Sequence, residues 1–106
     1  MIVKDYFGND VHVYPTISRY AHGGGLCIQL WAENSEPWAT MTVNLDDKLY
    51  ERFGEEYAYV DVNNFPEAIE LIERYNLAEN TGCVRQSGFV QYPLYRFDLA
   101  KLVRVV

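Results

Sequence analysis

The chain has 106 residues, of which 49% are hydrophobic and 15% aromatic, so it has the size of one domain and enough apolar side chains to bury a core. Fifteen acidic residues against nine basic ones give a formal net charge of −6, and this balance argues against direct binding to nucleic acid. The two cysteines form no CxxC pattern, and no segment is typical of a signal peptide. No apolar run is long enough to cross a membrane. We therefore expect one cytoplasmic domain over 1–106, without a cofactor.

Alternation of apolar and polar residues predicts strands at the start of the chain. Residues 1–7 form the first strand, which ends at a turn over 8–10, and a second strand begins at Val11. Pro15 cannot donate a hydrogen bond to a neighbouring strand. We therefore expect the second strand to end at Pro15 or to lie at the edge of a sheet.

Two further alternating runs flank the turn sequence NSEP and predict a β-hairpin. The first run spans 26–31 and the second spans 38–45, each with aliphatic residues on one face. Trp31 and Trp38 lie on the opposite face. In an antiparallel hairpin they would form a cross-strand pair.

The middle of the chain combines an acidic segment with another strand. Residues 46–56 are polar and acidic, which predicts a long loop or one irregular helical turn. Residues 57–62 alternate again, with Ala58, Val60 and Val62 on the apolar side. This segment is expected to be a strand with one buried face.

One helix is predicted over about 65–76. Its apolar residues recur at helical spacing: Phe65, Ala68, Ile69, Ile72 and Tyr75. Asn64 is the expected N-cap, with Glu67 at the capping-box position three residues later. The helix is expected to end at Asn76 or in a loop that runs through Gly82.

The last third of the chain predicts two more strands. Residues 89–97 alternate, and Pro93 within them indicates an edge strand or a bulge. The final residues, 101–106, are consistent with a short strand. The predicted fold is a single α+β domain with an antiparallel β-sheet of about five to seven strands and one helix packed on one face.

The sequence His-Gly-Gly-Gly at 22–25 matches the oxyanion-hole motif of lipases and esterases. That chemistry requires a nucleophile in a Gly-x-Ser-x-Gly turn, which this chain lacks, and a much longer fold. A phosphate-binding loop requires a following Gly-Lys-Ser/Thr sequence and a helix, which are also missing. The segment is therefore predicted to be a turn between two strands, where glycine permits positive φ.

The histidines and cysteines define the alternative functional hypothesis. His12, His22, Cys27 and Cys83 would form a tetrahedral zinc site if the fold brought all four together. Their spacing matches no familiar zinc pattern. A cysteine nucleophile with a histidine base would instead give a small hydrolytic enzyme. We expect a non-enzymatic protein and keep metal binding or hydrolysis as the alternative.

Acidic residues are concentrated in the middle of the chain. Residues 33–79 hold twelve acidic residues against three basic ones. Such a surface either binds a basic protein partner or serves as a solvated face that keeps the protein soluble. The candidate partner-binding residues are Glu51, Glu55, Glu56, Asp61, Glu67, Glu70 and Glu73.

Four segments resemble an uncharacterised family of short bacterial proteins associated with mobile elements and prophages. They are VHVYPTISRY, MTVNL, YVDVNNFPEAIELIERYNL and SGFVQYPLYRFD, and the likeness extends from about Val11 to Asp98. The family has no assigned activity, so the resemblance implies no site residues. It implies an accessory gene, of the kind that often encodes a small inhibitor of host or rival defence. The expected function is therefore protein–protein binding, with a basic nucleic-acid-binding protein as partner and inhibition of the antirestriction or anti-CRISPR type.

Overall fold

Two β-sheets and two short α-helices make up the fold in the computed structural model, which describes residues 1–104. The strands are β1 (Ile2–Lys4), β2 (Asp10–Arg19), β3 (Leu26–Ala32), β4 (Pro37–Thr40), β5 (Thr42–Val43), β6 (Tyr57–Val60), β7 (Ala78–Ser87), β8 (Val90–Phe97) and β9 (Val103–Arg104). The helices are α1 (Leu49–Phe53) and α2 (Ala68–Tyr75), and a short 3-10 helix spans Leu99–Lys101. The α+β class is confirmed, but the predicted single sheet of about five to seven strands with one helix was wrong, because residues 1–104 form nine strands in two sheets and two α-helices.

The first sheet has the order β1-β2-β3-β4, with β9 parallel to β2, and the second has the order β5-β6-β8-β7. All strand pairs except β2–β9 are antiparallel. The predicted β3–β4 hairpin is present. However, a register shift places Pro37 opposite Trp31, so the expected pairing of Trp31 with Trp38 was wrong. The Trp31 indole N–H instead donates to the Thr16 hydroxyl at 2.9 Å.

The chain passes from one sheet to the other at Met41. The predicted strand 38–45 is divided there, because β4 pairs with β3 whereas β5 pairs with β6. The Met41 N–H donates to the Ile28 carbonyl, and the Met41 carbonyl accepts from the Asp61 N–H, both at 2.8 Å. Met41 is fully buried and forms the corner between the sheets. Alternation along a sequence reports which face a residue occupies, not which strand lies beside it, so this change of sheet was not predictable.

The main core lies between the two sheets and α2. Its residues from the first sheet include Val13, Ile17, Leu26, Ile28 and Leu30, and those from the second include Ala58, Val60, Tyr95 and Phe97. Helix α2 contributes Ala68, Leu71 and Ile72, none more than 1% exposed. Burial of this shared core is the main term that holds the sheets together.

A small cluster lies on the other face of the second sheet. It contains Leu49 of α1 with Tyr59, Tyr92 and Leu94. Tyr59 alternates along β6 with Ala58 and Val60 of the main core, so the two clusters occupy opposite faces of this sheet. Helices α1 and α2 therefore cover opposite faces of one sheet.

Helix α2 is shorter than predicted and begins differently. It starts at Ala68, and the residue before it, Glu67, makes no side-chain capping bond. Asn64, the predicted N-cap, instead donates its backbone and side-chain N–H groups to the Asp61 carboxylate, at 3.1 and 3.0 Å. The N-cap prediction was wrong because Asp61 organises a separate turn before the helix. The predicted end at Asn76 is confirmed, with φ of 52°.

Pro15 does not end β2, contrary to prediction. The strand continues to Arg19 and has partners on both sides. The Val13 N–H donates to the Met1 carbonyl, on the side of β2 that faces β1. Because backbone N–H groups of alternate residues in a strand point to the same side, the Pro15 nitrogen also points toward the side of β1 and β9. Neither β1 nor β9 pairs with Pro15 there. No strand hydrogen bond is lost.

The C-terminal third also differs from the prediction. Residues 78–87 form β7 at the edge of the second sheet, so the loop through Gly82 that was one alternative for the end of the helix was wrong. Nearly all residues of β7 are exposed, so no apolar alternation marks the strand. Pro93 lies on β8, which is an interior strand, so the prediction of an edge strand was wrong. The alternative prediction of a bulge at Pro93 is nearer to the structure, because the pairing with β7 is irregular between Asn80 and Val84. Of the predicted strand 101–106, only β9 is present, and residues 105 and 106 lie outside the described residues.

Within residues 1–104, no helix has the length and apolar character needed to cross a membrane.

Candidate functional site

The glycine-rich segment forms the connection between β2 and β3, as predicted. The Tyr20 N–H donates to the Gly25 carbonyl at 2.9 Å, and Gly23 and Gly24 have φ of 84° and 68°. A Cβ atom on Gly23 would lie 2.5 Å from the backbone carbonyl oxygen of Asp47. Glycine is thus required at this position for chain conformation and for close approach to the 44–48 loop.

The four candidate metal ligands are not brought together. His12 faces Ile2 at one end of β2, and Cys27 faces Ser18 near the other end, about 20 Å away at the usual rise per strand residue. His22 lies in the glycine-rich turn, with its Nε2 3.3 Å from an Asp47 carboxylate oxygen. Cys83 is exposed on β7 of the other sheet. In the part of the chain that the structure describes, no three His, Cys, Asp or Glu residues form a group suited to a metal ion.

Asp61 does not belong to an accessible acidic surface. It is only 6% exposed, and both of its carboxylate oxygens accept hydrogen bonds from Asn64. Its position after β6 explains this placement, because a carboxylate at this point organises the turn that leads into α2. We therefore remove Asp61 from the candidate binding residues.

Three other candidate carboxylates lie outside helix α2. Glu51 is on α1, across the second sheet from α2, while Glu55 and Glu56 occupy the turn before β6. A carboxylate oxygen of Glu55 lies 3.7 Å from the Arg19 guanidinium, and the Arg96 Nε lies 3.1 Å from a Glu56 carboxylate oxygen. Glu55 and Glu56 are therefore partly neutralised, and none of the three lines the groove that Glu67 and Glu70 share.

The remaining three candidates, Glu67, Glu70 and Glu73, share helix α2 and the residue before it, and all are exposed. Glu70 forms an ion pair with Arg74 one turn later. The Arg74 guanidinium also donates to the carbonyl of Ile2 at 2.9 Å, which ties α2 to β1.

Glu67 and Glu70 line a groove of about 590 Å³ that lies between α2, β4 and the segment formed by β1 and its following turn. We call it the α2 groove. Its apolar lining includes Trp38, Phe65 and Leu71. Its charged lining comprises four acidic and two basic residues, namely Asp5, Asp10, Glu67, Glu70, Lys4 and Arg74. Each basic residue already pairs with an acidic one, Lys4 with Asp10 and Arg74 with Glu70, so the groove keeps a negative balance.

The β1–β2 turn forms one wall of the groove and is held by Asp5. One carboxylate oxygen of Asp5 accepts the backbone N–H groups of Phe7 and Asn9, at 2.9 and 2.8 Å, and the other accepts the Asn9 side-chain amide at 3.3 Å. The Asn9 backbone N–H is the largest cause that lowers the pKa of Asp5 below its ordinary value of 3.8. The turn keeps its charged carboxylate because that charge is hydrogen-bonded.

This turn presents two exposed aromatic side chains that sequence reasoning did not select. Tyr6 is 96% exposed and lines the groove, and Phe7 is 84% exposed. Their rings meet edge to face, with centroids 5.6 Å apart. The predicted strand over 1–7 was wrong at its end, because β1 stops at Lys4 and the hairpin turn already includes Tyr6 and Phe7. The turn-forming residues at 8–10 were the available signal that a hairpin tip lay nearby.

A family model for a domain of unknown function (DUF4313) matches residues 15–106. The match begins within β2, so the β1–β2 turn precedes it, whereas β4 and α2 lie inside it. No curated protein and no solved structure gives a significant match to the chain.

Proposed function

The chain belongs to the DUF4313 family of unknown function, and on that premise we propose that it is a non-enzymatic binding protein whose α2 groove takes a basic segment of a partner protein. The observation that carries the proposal is one concave surface with an apolar floor and an excess of carboxylates at its rim. Grooves that combine apolar lining with a few placed charged groups are the usual form of a binding site.

The lining chemistry selects a cationic segment. A lysine or arginine side chain that enters the groove would pair with Glu67, which forms no ion pair with the side chains of residues 1–102. Its aliphatic stem would pack against the half-buried Trp38 side chain, and its charge would be attracted to the aromatic ring. The overall charge of −6 would also accelerate encounter with a basic partner.

We further propose that the partner is a basic nucleic-acid-binding protein and that the gene is carried by a mobile element, where the protein would inhibit the partner as antirestriction or anti-CRISPR proteins do. The resemblance to proteins of mobile elements and prophages supports this context. The acidic balance supports competition with nucleic acid for the same basic surface. The genes that flank family members in bacterial genomes test the genetic part of the proposal.

Affinity capture from cells that carry the gene tests the binding part. The full chain is compared with Glu67→Gln/Glu70→Gln, which removes two groove charges, and with Glu51→Gln/Glu79→Gln, which removes the same charge from exposed positions elsewhere. We expect a basic protein to be retained by the wild type and the control and to be lost from the groove variant. Retention should also fall steeply as salt rises.

Competition then addresses the class of partner. Excess DNA added to the isolated complex should release a nucleic-acid-binding partner, because both ligands would occupy the same basic surface. Equal retention by both charge variants, or a complex that neither salt nor DNA weakens, would contradict the proposed function.

A further inference from the structure

We infer that the ring pair of Tyr6 and Phe7 is the apolar anchor of this interface and inserts into an apolar surface beside the basic residues of the partner. This inference rests on the proposed function and adds to it the source of the affinity. In this division, the groove carboxylates select and attract a basic partner, while the two rings supply most of the contact that keeps it bound.

The position of the two rings supports the inference. Single exposed hydrophobic side chains are common, but two adjacent aromatic rings at a hairpin tip create a continuous apolar patch. Both rings are almost fully exposed, and Tyr6 also lines the groove. The patch and the acidic rim would therefore meet the same partner.

The rigidity of the turn supports it further. Beyond the bonds to its carboxylate, the Asp5 N–H donates to the Asn9 carbonyl at 2.9 Å, and the Gly8 N–H donates to the Asp5 carbonyl at 3.1 Å. Gly8 has φ of 82°, which suits glycine in a tight turn. The backbone that carries Tyr6 and Phe7 is thus ordered before binding, which reduces the entropy lost on association.

Charge decides which occupant we name. Asp5 and Asp10 flank the rings, and Glu67 and Glu70 lie across the groove. A second copy of this chain, an anionic membrane or a nucleic acid would bring like charge to these carboxylates. A basic polypeptide with apolar residues is complementary to both the rim and the rings.

The tip of the β7–β8 hairpin offers a matched comparison. Phe89 is also fully exposed at a hairpin tip, but it does not line the α2 groove. Phe89→Ser therefore removes an equally exposed ring at a distant site. Tyr6→Ser/Phe7→Ser removes the proposed anchor without emptying any part of the core.

The test uses two short synthetic peptides, one of alternating arginine and leucine pairs and one with each leucine replaced by serine. Affinities for the full chain are measured by titration calorimetry, and thermal unfolding confirms that each variant is folded. We expect the leucine peptide to bind the wild type about tenfold more tightly than the serine peptide, because aromatic anchors gain most from apolar contact. Tyr6→Ser/Phe7→Ser should reduce the ratio of the two affinities to less than about twofold.

The outcomes separate the two proposals. If Tyr6→Ser/Phe7→Ser keeps the tenfold preference, or Phe89→Ser loses it equally, the anchor is refuted while the charged groove stands. If the wild type binds both peptides with equal affinity and Glu67→Gln/Glu70→Gln weakens the binding of both, the aromatic anchor is likewise refuted and the charged groove is supported. If neither peptide binds the wild type, the proposed function fails together with the anchor. A wild-type dimer in sedimentation that Tyr6→Ser/Phe7→Ser dissociates would assign the rings to a second copy instead.

Discussion

Helices α1 and α2 cover opposite faces of the second sheet, and different interactions hold them there. Helix α2 has eight residues, of which three are buried in the main core, whereas α1 has five residues with Leu49 as its one buried member. Helix α1 is instead tied by Asp46, whose carboxylate accepts the Lys48 N–H at 2.9 Å and lies within 4 Å of two arginines. The comparison shows that a long helix can rely on core burial, whereas a single turn needs polar links to the surrounding chain.

The largest effect is expected for α2. Ile72→Ala removes a fully buried side chain from the main core and should lower the free energy of unfolding by about 3–4 kcal/mol. Chemical denaturation measures this change. Ile69→Ala, at a half-buried position of the same helix, serves as the control and should cost about half as much. A larger loss for Ile69→Ala would overturn the assignment of the buried face.

A smaller effect is expected for the buried residue of α1. Leu49→Ala should lower the free energy of unfolding by about 2 kcal/mol, since the small cluster lies near the surface and relaxes more easily. Hydrogen exchange of the Arg52 N–H, which donates to the Lys48 carbonyl, should accelerate. Glu51→Ala, on the exposed side, should leave both measurements nearly unchanged. Equal losses for Leu49→Ala and Ile72→Ala would mean that the two helices are held alike.

The polar attachment of α1 is tested at Asp46. Asp46→Ala removes the acceptor for the Lys48 N–H and the partner of Arg52 and Arg85, and we expect a loss of about 1–2 kcal/mol in the free energy of unfolding. The adjacent Asp47→Ala changes the same charge at an exposed site and should cost less than about 0.5 kcal/mol. Equal free energies of unfolding for Asp46→Ala and Asp47→Ala would show that the Asp46 carboxylate does not hold α1 in place.

The end of α2 gives the smallest expected change. Asn76 has the left-handed conformation that glycine and asparagine adopt most easily, so Asn76→Ala should destabilise by about 1 kcal/mol. Asn76→Gly should differ from the wild type by less than about 0.5 kcal/mol. Thermal unfolding of the two variants measures the contrast. A more stable alanine variant would contradict the capping role.

The same contrast explains which elements were predictable. The α2 stripe repeats over two turns, so periodicity identified the helix and its end at Asn76, although not its beginning. Helix α1 is too short to show a period, and 46–56 was predicted only as a loop or an irregular turn. Strand β7 is exposed on both faces and therefore shows no alternation.

The candidate site was predictable in part. Glu67 and Glu70 were selected from the acidic middle of the chain, and both line the α2 groove. Tyr6 and Trp38 lie far apart in sequence and share this groove only because β1, β4 and α2 converge. In the sequence, Asp61 could not be distinguished from the other acidic residues, because the residue type alone does not show whether a carboxylate is buried.

The sequence by itself determined the α+β class, the turn at 22–25 and the burial of the aliphatic residues of β3 and β6 in the main core, because these features follow from local periodicity and from the conformational freedom of glycine. Tertiary structure decided the division into two sheets at Met41, the separation of the acidic residues onto different surfaces, and the groove beside α2. The physical reason is that these features depend on which distant strands and helices become neighbours. That choice is made by packing of the whole core rather than by any short segment.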